Sequence, residues 1–387
     1  MSPLKANVNN SITLHRTTMN KGKGMSTDLR QQCNLLLSGH FDPTPAQTFA
    51  QMAEWCETHD VAHDTYGDGD FIESFESKVA DLLGYEAAVF VITGTMNQPT
   101  ALEIACQEKR NPLVAMHESS HIMRHERQGY QLQNRFNVLP VGNVFRTWNV
   151  DDLKAWPDEI AAALYELPMR EIGGQLPEWE ELEAIKQYCK EQSIHLHMDG
   201  ARLWECGAYY QKPYSEIAKG FDTAYVSLYK GLNGLGGSLL LGDKAFVAKA
   251  SAWMKRQGGN VYHRTPYVVS AAMQFDQRIE LMPALYERTK QVYQILQDYP
   301  QFTVNPQQPQ VNMLHLYLPV SHEDGIIARD NIAKKHKVWI GNPAISELPN
   351  QCKIEWYVGD NLLNLPDHEL IDILDFISEE LILLTKS

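Results

Sequence analysis

The chain lacks any run of about 18 apolar, uncharged residues, so no membrane-spanning helix is expected. Residues 1–24 are polar, carry Lys21 and Lys23, and contain no apolar stretch of the secretory-leader kind. They read as a mobile extension, with Met25 a candidate natural start. Cysteine is scarce, at 6 residues, and none of Cys33, Cys56, Cys106, Cys189, Cys206 and Cys352 stands in a C-x-x-C pair. Isolated reduced thiols in the cytoplasm are the expectation. Positive charge is short as well: 34 Lys plus Arg against 48 Asp plus Glu give a formal net charge of −14. Nucleic acid and anionic membrane surfaces are therefore poor partners, although a local positive pocket for a small anion stays open.

What is present is globular. The 387 residues are 44% hydrophobic and 21% charged, which excludes whole-chain disorder and a collagen-like fibre. Apolar runs alternate with helical periodicity. Ser74–Leu83 reads as a helix, Ala87–Ile92 as a strand buried on both faces, and Leu113–Met116 and Ala161–Leu167 as further strands. The helix Trp179–Gln192 leads to a strand Ile194–Met198 ending at Asp199-Gly200, then to strands Ala224–Leu228 and Ser238–Leu241. This βαβ repetition predicts a mainly parallel sheet between helices. Helices dominate from Lys244 to about Gln297, and the Pro- and Gln-rich Tyr299–Gln310 reads as a linker. The expected division is an extension at 1–30, a large domain at 31–298 and a small α+β domain at 299–387.

Ligand clefts in such sheets lie beyond the carboxyl ends of the strands. Four segments fall there. Thr93-Gly94-Thr95 turns a strand into a helix, where free N–H groups and hydroxyls suit a phosphate; a plain N-cap is the alternative. Asp199-Gly200-Ala201-Arg202 puts a carboxylate beside a glycine, or merely caps a helix. Lys230 ends an apolar strand before glycines; partly buried there it becomes an amine nucleophile, unless it snorkels to water. His117-Glu118-Ser119-Ser120-His121 matches the zinc-protease H-E-x-x-H, but a strand precedes it and serines are poor helix interior, so a strand-end loop carrying His121 is the better reading. Together these pieces meet the needs of pyridoxal 5′-phosphate: a Schiff-base lysine, an acidic partner for the ring nitrogen and a phosphate cradle.

Tyr66-Gly67-Asp68-Gly69-Asp70, Thr93-Gly94-Thr95-Met96-Asn97, His121-Ile122, His197-Met198-Asp199-Gly200-Ala201-Arg202, Tyr229-Lys230-Gly231-Leu232 and Lys255-Arg256-Gln257-Gly258-Gly259 occur in that order. The set resembles the threonine aldolase and β-eliminating lyase family of fold-type-I pyridoxal-phosphate enzymes. The resemblance implies the aspartate-aminotransferase-like α/β fold, with a mainly parallel seven-stranded sheet and a smaller C-terminal α+β domain. It implies Lys230 as covalent cofactor anchor, Asp199 at the pyridine nitrogen and His121 over the ring, with Lys230, His121 and Asp199 catalytic. Thr93, Gly94 and Thr95 would hold phosphate, and Arg202 would stand by the cofactor and the substrate carboxylate. Homodimers or homotetramers with shared active sites are expected, so Tyr66 would serve a neighbouring subunit.

Departures fall on the substrate side. Glu166-Leu-Pro-Met169-Arg170 replaces a segment that carries a histidine at 169; Ser38-Gly39-His40 stands where the family has D-L-R-S-D-T; Lys353 stands where a carboxylate-binding arginine belongs, and lysine lacks the planar fork. Tyr66, Ser38, Glu166, Arg170, Arg202 and Lys353 are the substrate candidates. The implied activity is retro-aldol cleavage of a threonine-like β-hydroxy-α-amino acid to glycine and an aldehyde. The alternatives are β-elimination or another lyase reaction on the same cofactor, and a non-catalytic cofactor-binding homologue. No metal, nucleic-acid or membrane partner is expected.

Overall fold

The computed structural model describes residues 29–41 and 43–385, so most of the expected extension at 1–30 lies outside the described residues. A short strand, β1 (Leu35–Leu36), comes first. The main sheet comprises β2 (Ala87–Val91), β3 (Leu113–His117), β4 (Asn137–Val141), β5 (Ala162–Glu166), β6 (His195–Gly200), β7 (Thr223–Ser227) and β8 (Ser238–Gly242). Their spatial order is β2-β8-β7-β6-β5-β3-β4. β8 runs antiparallel to both neighbours, and the pairs from β7 to β4 are parallel. β5, β7 and β8 are buried at every position, as strands with apolar centres are when helices cover both faces. The seven-stranded, mainly parallel α/β architecture is the one the sequence resemblance implies.

The small domain is an antiparallel sheet of β9 (Thr303–Asn305), β10 (Met313–Leu318), β12 (Pro343–Ile345) and β13 (Cys352–Tyr357), ordered β12-β13-β10-β9. Tyr299–Gln310 is therefore not a plain linker: β9 pairs with His315–Tyr317 as an edge strand, and Pro300, Pro306 and Pro309 fall outside it. Residues 31–298 do not pack as one unit either. β1 pairs in parallel with β11 (Val338–Trp339), and Leu37, fully buried, joins the small-domain core with Trp356 and Leu314. The helix Thr265–Leu296 spans both cores, through Val268 to Leu285 on one side and Val292 to Leu296 on the other. Apolar pattern marks strands and helices but does not say which core a short strand will join.

One turn fixes how the two domains meet. Gly173 and Gly174 have φ of +85° and +81°, and a Cβ at Gly173 would lie 2.2 Å from the Asn305 carbonyl oxygen. Only glycine allows that approach. Gln175 Nε2 donates to Asn305 Oδ1 at 2.9 Å, and Asn305 Nδ2 donates to the Ile172 carbonyl at 3.0 Å. The loop after β5 is thus stitched to the edge of the small sheet.

Candidate active site

The site grows from the carboxyl ends of β5, β6 and β7. Asp199, 1% exposed, sits near the end of β6 opposite Glu166 of β5. Its Oδ2 accepts from Gln98 Nε2 at 3.0 Å and its Oδ1 from the Ala201 N–H at 3.1 Å, which fixes the carboxylate's orientation. After β7, Ser227 Oγ accepts from the N–H groups of Tyr229 and Lys230, both at 3.3 Å, and turns the chain out of the sheet. Gly234 is required by that turn: a Cβ there would lie 2.6 Å from the Leu228 carbonyl. Burial lowers the Lys230 ammonium below its ordinary range; Asp199 opposes the shift and Arg202 adds to it. A larger share of free amine, and hence nucleophile, follows.

Thr93 caps the helix Gly94–Lys109, its hydroxyl accepting from the Thr95 N–H at 3.3 Å. Gly94 rests on Tyr225: a Cβ there would lie 2.6 Å from the phenol oxygen. Gly94 is therefore the residue that lets the helix start pack on Tyr225, and the N–H groups of such a start suit an anion. A cavity of about 250 Å³ borders Thr93, Thr95 and Glu126. Burial pushes Glu126 up to about 7, although a hydrogen bond with Thr95 opposes this.

His121, Glu166, Arg170, Glu171, Arg202 and Lys230 line one narrow cavity, of about 10 Å³. Burial, aided by Lys230 and His125, lowers His121 to about 4, so its imidazole is neutral. Burial and the nearby Asp199 push Glu166 up to about 8; it too is uncharged at neutral pH. Arg202 Nη1 meets Glu205 Oε1 at 3.3 Å, and its guanidinium lies 4.8 Å from the Tyr357 ring. Burial opposes its charge, yet Glu205 and Tyr357 hold it firmly cationic. Arg170 reaches Glu355 of β13 at 2.9 Å and Glu171 at 3.3 Å. Despite burial, His315 and Arg170 hold Glu355 down at about 2.

The structure thus gathers Lys230, Asp199, His121, Glu166, Arg170 and Arg202, with Thr93, Gly94 and Thr95 at the adjoining helix start. Three substrate candidates lie elsewhere. Lys353 Nζ is 2.5 Å from Glu347 and does not line the cavity. Ser38 Oγ accepts from the Tyr357 N–H at 2.8 Å, holding that residue's backbone rather than facing a ligand. Tyr66 is 44% exposed, with φ of +57° and its ring edge-on to Tyr262. The H-E-x-x-H match fails as a metal pair. His117 ends a strand with Nδ1 2.6 Å from Ser119 Oγ and Nε2 2.7 Å from the Asn143 carbonyl, whereas His121 opens a separate helix.

Sequence reasoning missed Gln98, Tyr225, Glu126, Glu171, Glu205, Glu355 and Tyr357. Gln98 stands one helical turn after Gly94 and Glu205 three residues after Arg202, so helical spacing offered a signal for both. Glu355 and Tyr357 come from the small domain, and no local pattern points to them.

A sheet of order β2-β8-β7-β6-β5-β3-β4 with a half-buried lysine just beyond β7, beside a small antiparallel domain, defines the fold-type-I, aspartate-aminotransferase-like class. The model of the beta-eliminating lyase family matches residues 43–318, and the chain belongs to that family. It is 35% identical to a Listeria monocytogenes protein assigned, provisionally, as an L-allo-threonine aldolase, with a TM-score of 0.85 over 92% of this chain and 100% of that one. An Exiguobacterium protein, provisionally an aromatic amino acid beta-eliminating lyase/threonine aldolase, is also 35% identical, with a TM-score of 0.84 over 91% and 99% of the two chains. The low-specificity L-threonine aldolase of Eremothecium gossypii is 29% identical over 223 residues, 54% of this chain and 57% of that protein. The chain spans little more than half the length of the first curated relatives it matches.

Proposed function

We propose that this protein is a pyridoxal-phosphate-dependent lyase that cleaves a β-hydroxy-α-amino acid to glycine and an aldehyde. The observation that carries the reading is Lys230, its amine freed by burial, in one cleft with Asp199, the neutral His121 and Arg202. The residues present fit the cofactor. Asp199 is a buried, doubly hydrogen-bonded carboxylate suited to a pyridine nitrogen, and the start of the helix Gly94–Lys109, with the Thr93 and Thr95 side chains bordering a cavity, suits a phosphate. When bound, the cofactor supplies an aldehyde for Lys230 to hold and a ring that takes up the electron pair of the bond broken at Cα.

The remaining work falls to the chain. Gln98 and the Ala201 N–H orient Asp199 toward the ring nitrogen. Thr93, Gly94 and Thr95 hold the phosphate with N–H groups and hydroxyls. His121, neutral, would stand beside the cofactor ring without adding a second cation. Arg202, kept charged by Glu205, receives the substrate carboxylate. Glu166, carrying its own proton, donates a hydrogen bond into the cleft.

β-Elimination on the same cofactor is the second reading; the fully buried Met169, standing after β5 where the family segment carries a histidine, favours it because it can hold no proton. A homodimer or homotetramer is also proposed, because Tyr66, Tyr262, Tyr229 and Leu235 are large apolar residues left exposed. All six cysteines are free, in keeping with a cytoplasmic location, and no helix among the described residues is long and apolar enough to cross a membrane. The test is incubation of purified, cofactor-loaded protein with β-hydroxy amino acids. Glycine release is expected; release of pyruvate and ammonia without glycine supports elimination instead, and no turnover of either kind refutes a lyase.

A further inference from the structure

We propose that Glu171, backed by His125, accepts the substrate's hydroxyl proton as the Cα–Cβ bond breaks; the inference rests on the aldolase reading above. Glu171 lines the cavity that holds Lys230 and Arg202. His125 Nε2 lies 2.8 Å from Glu171 Oε1, and Arg170 Nη1 3.3 Å from the same oxygen. The side chains of His125 and Glu171 are 41% and 28% exposed, so the pair joins the cavity to water.

The other cavity-lining groups are unsuited. Lys230 is committed to the cofactor. Arg170 and Arg202 have no basic lone pair to offer. Glu166 already holds a proton up to about pH 8, and His121 is given to the cofactor ring in the reading above. Met169, on the same loop, cannot bind a proton at all. The charged and titratable groups set against the pair are His121 beside His125, Arg170 beside Glu171, and Glu166, whose proton the charge of Glu171 helps to hold.

In the step, the O–H bond breaks and its proton goes to Glu171, leaving to water through the His125 imidazole. The oxygen's pair becomes the aldehyde π bond. The Cα–Cβ pair stays with Cα and, once one proton returns there, becomes a C–H bond of glycine. One proton departs and one returns, so no oxidant or further reactant is needed.

The test uses cofactor-loaded protein and two assays: cleavage of a β-hydroxy amino acid, and exchange of a glycine α-proton in D₂O followed by NMR. The second assay breaks no O–H bond. Glu171→Gln is expected to lower the cleavage kcat about 10²-fold, with glycine exchange changed at most severalfold and the visible spectrum of the bound cofactor retained. His125→Gln lowers cleavage by less, and Glu171→Asp restores part of it. Cleavage by Glu171→Gln at the wild-type rate overturns the proposal, as does an equal fall in both assays. If the unaltered protein exchanges glycine but cleaves no β-hydroxy amino acid, the aldolase reading itself falls.

Discussion

The Lys230–Asp199 end of the cleft is assembled from the carboxyl ends of neighbouring parallel strands, whereas the Arg170–Arg202 end draws on two sheets. At the first end, every orienting bond is made within the large domain: Gln98 to Asp199, Ser227 to the Lys230 turn, Tyr225 beneath Gly94. At the second, Arg170 is held by Glu355 and Arg202 lies over Tyr357, both on β13 of the small domain. Sheet geometry alone fixes the first end. The second exists only when the two domains are docked, which the Gly173–Asn305 approach enforces. A cleft built this way can keep its cofactor chemistry while its substrate contacts change.

Substitutions at the two ends test that division. Lys230→Ala carries the largest expected effect: cleavage falls by several orders of magnitude, and borohydride no longer fixes cofactor to the chain. Labelling of the variant at the wild-type level would place the amine elsewhere and collapse the contrast. Next, Arg202→Lys removes a guanidinium held by Glu205. A charged hydrogen bond is worth about 1.5–3 kcal/mol, so KM for the amino acid rises by one to two orders of magnitude, with the cofactor spectrum unchanged. A spectral change of equal size would show that the ends are not separable.

The smallest effect concerns Glu166, which stands where the ends meet. Its carboxyl is pushed up to about 8 from the ordinary 4.5, so the folded chain keeps a proton that the unfolded chain gives up. Its contribution to stability is full below about pH 4.5 and is lost as pH rises through about 8. Denaturant unfolding across that window should show stability falling with pH, and Glu166→Gln should flatten the fall. An unchanged slope would mean that Glu166 is ionised and belongs with the anionic partners of Arg170.

How much of this is legible in the sequence follows the same division. Thr93-Gly94-Thr95, Asp199-Gly200-Ala201-Arg202 and Lys230 each end an apolar strand, and the rule that α/β clefts lie there brings them together without a structure. Glu166 and Arg170 were legible at the end of β5 and just after it. Lys353 was not: the family resemblance set it beside the substrate, but its amine is paired with Glu347. Along β13 side chains alternate, so Lys353, Glu355 and Tyr357 share a face, yet only the latter two reach the arginines. Ser38 was assigned a ligand and instead supports the backbone of Tyr357. Pairing between residues 319 apart leaves no local trace.

The sequence by itself determined the parallel sheet, the residues at its carboxyl edge and the chemistry those residues can perform. Strand periodicity and the position of polar groups after apolar runs are local properties, and they survive without any knowledge of neighbours. Only the tertiary structure decided which charges meet across the cleft, that Glu166 is neutral while Glu355 is ionised, and that Glu171 lies within hydrogen-bond distance of His125. Burial and the distance between charges set those states, and both come from packing two sheets that are far apart along the chain.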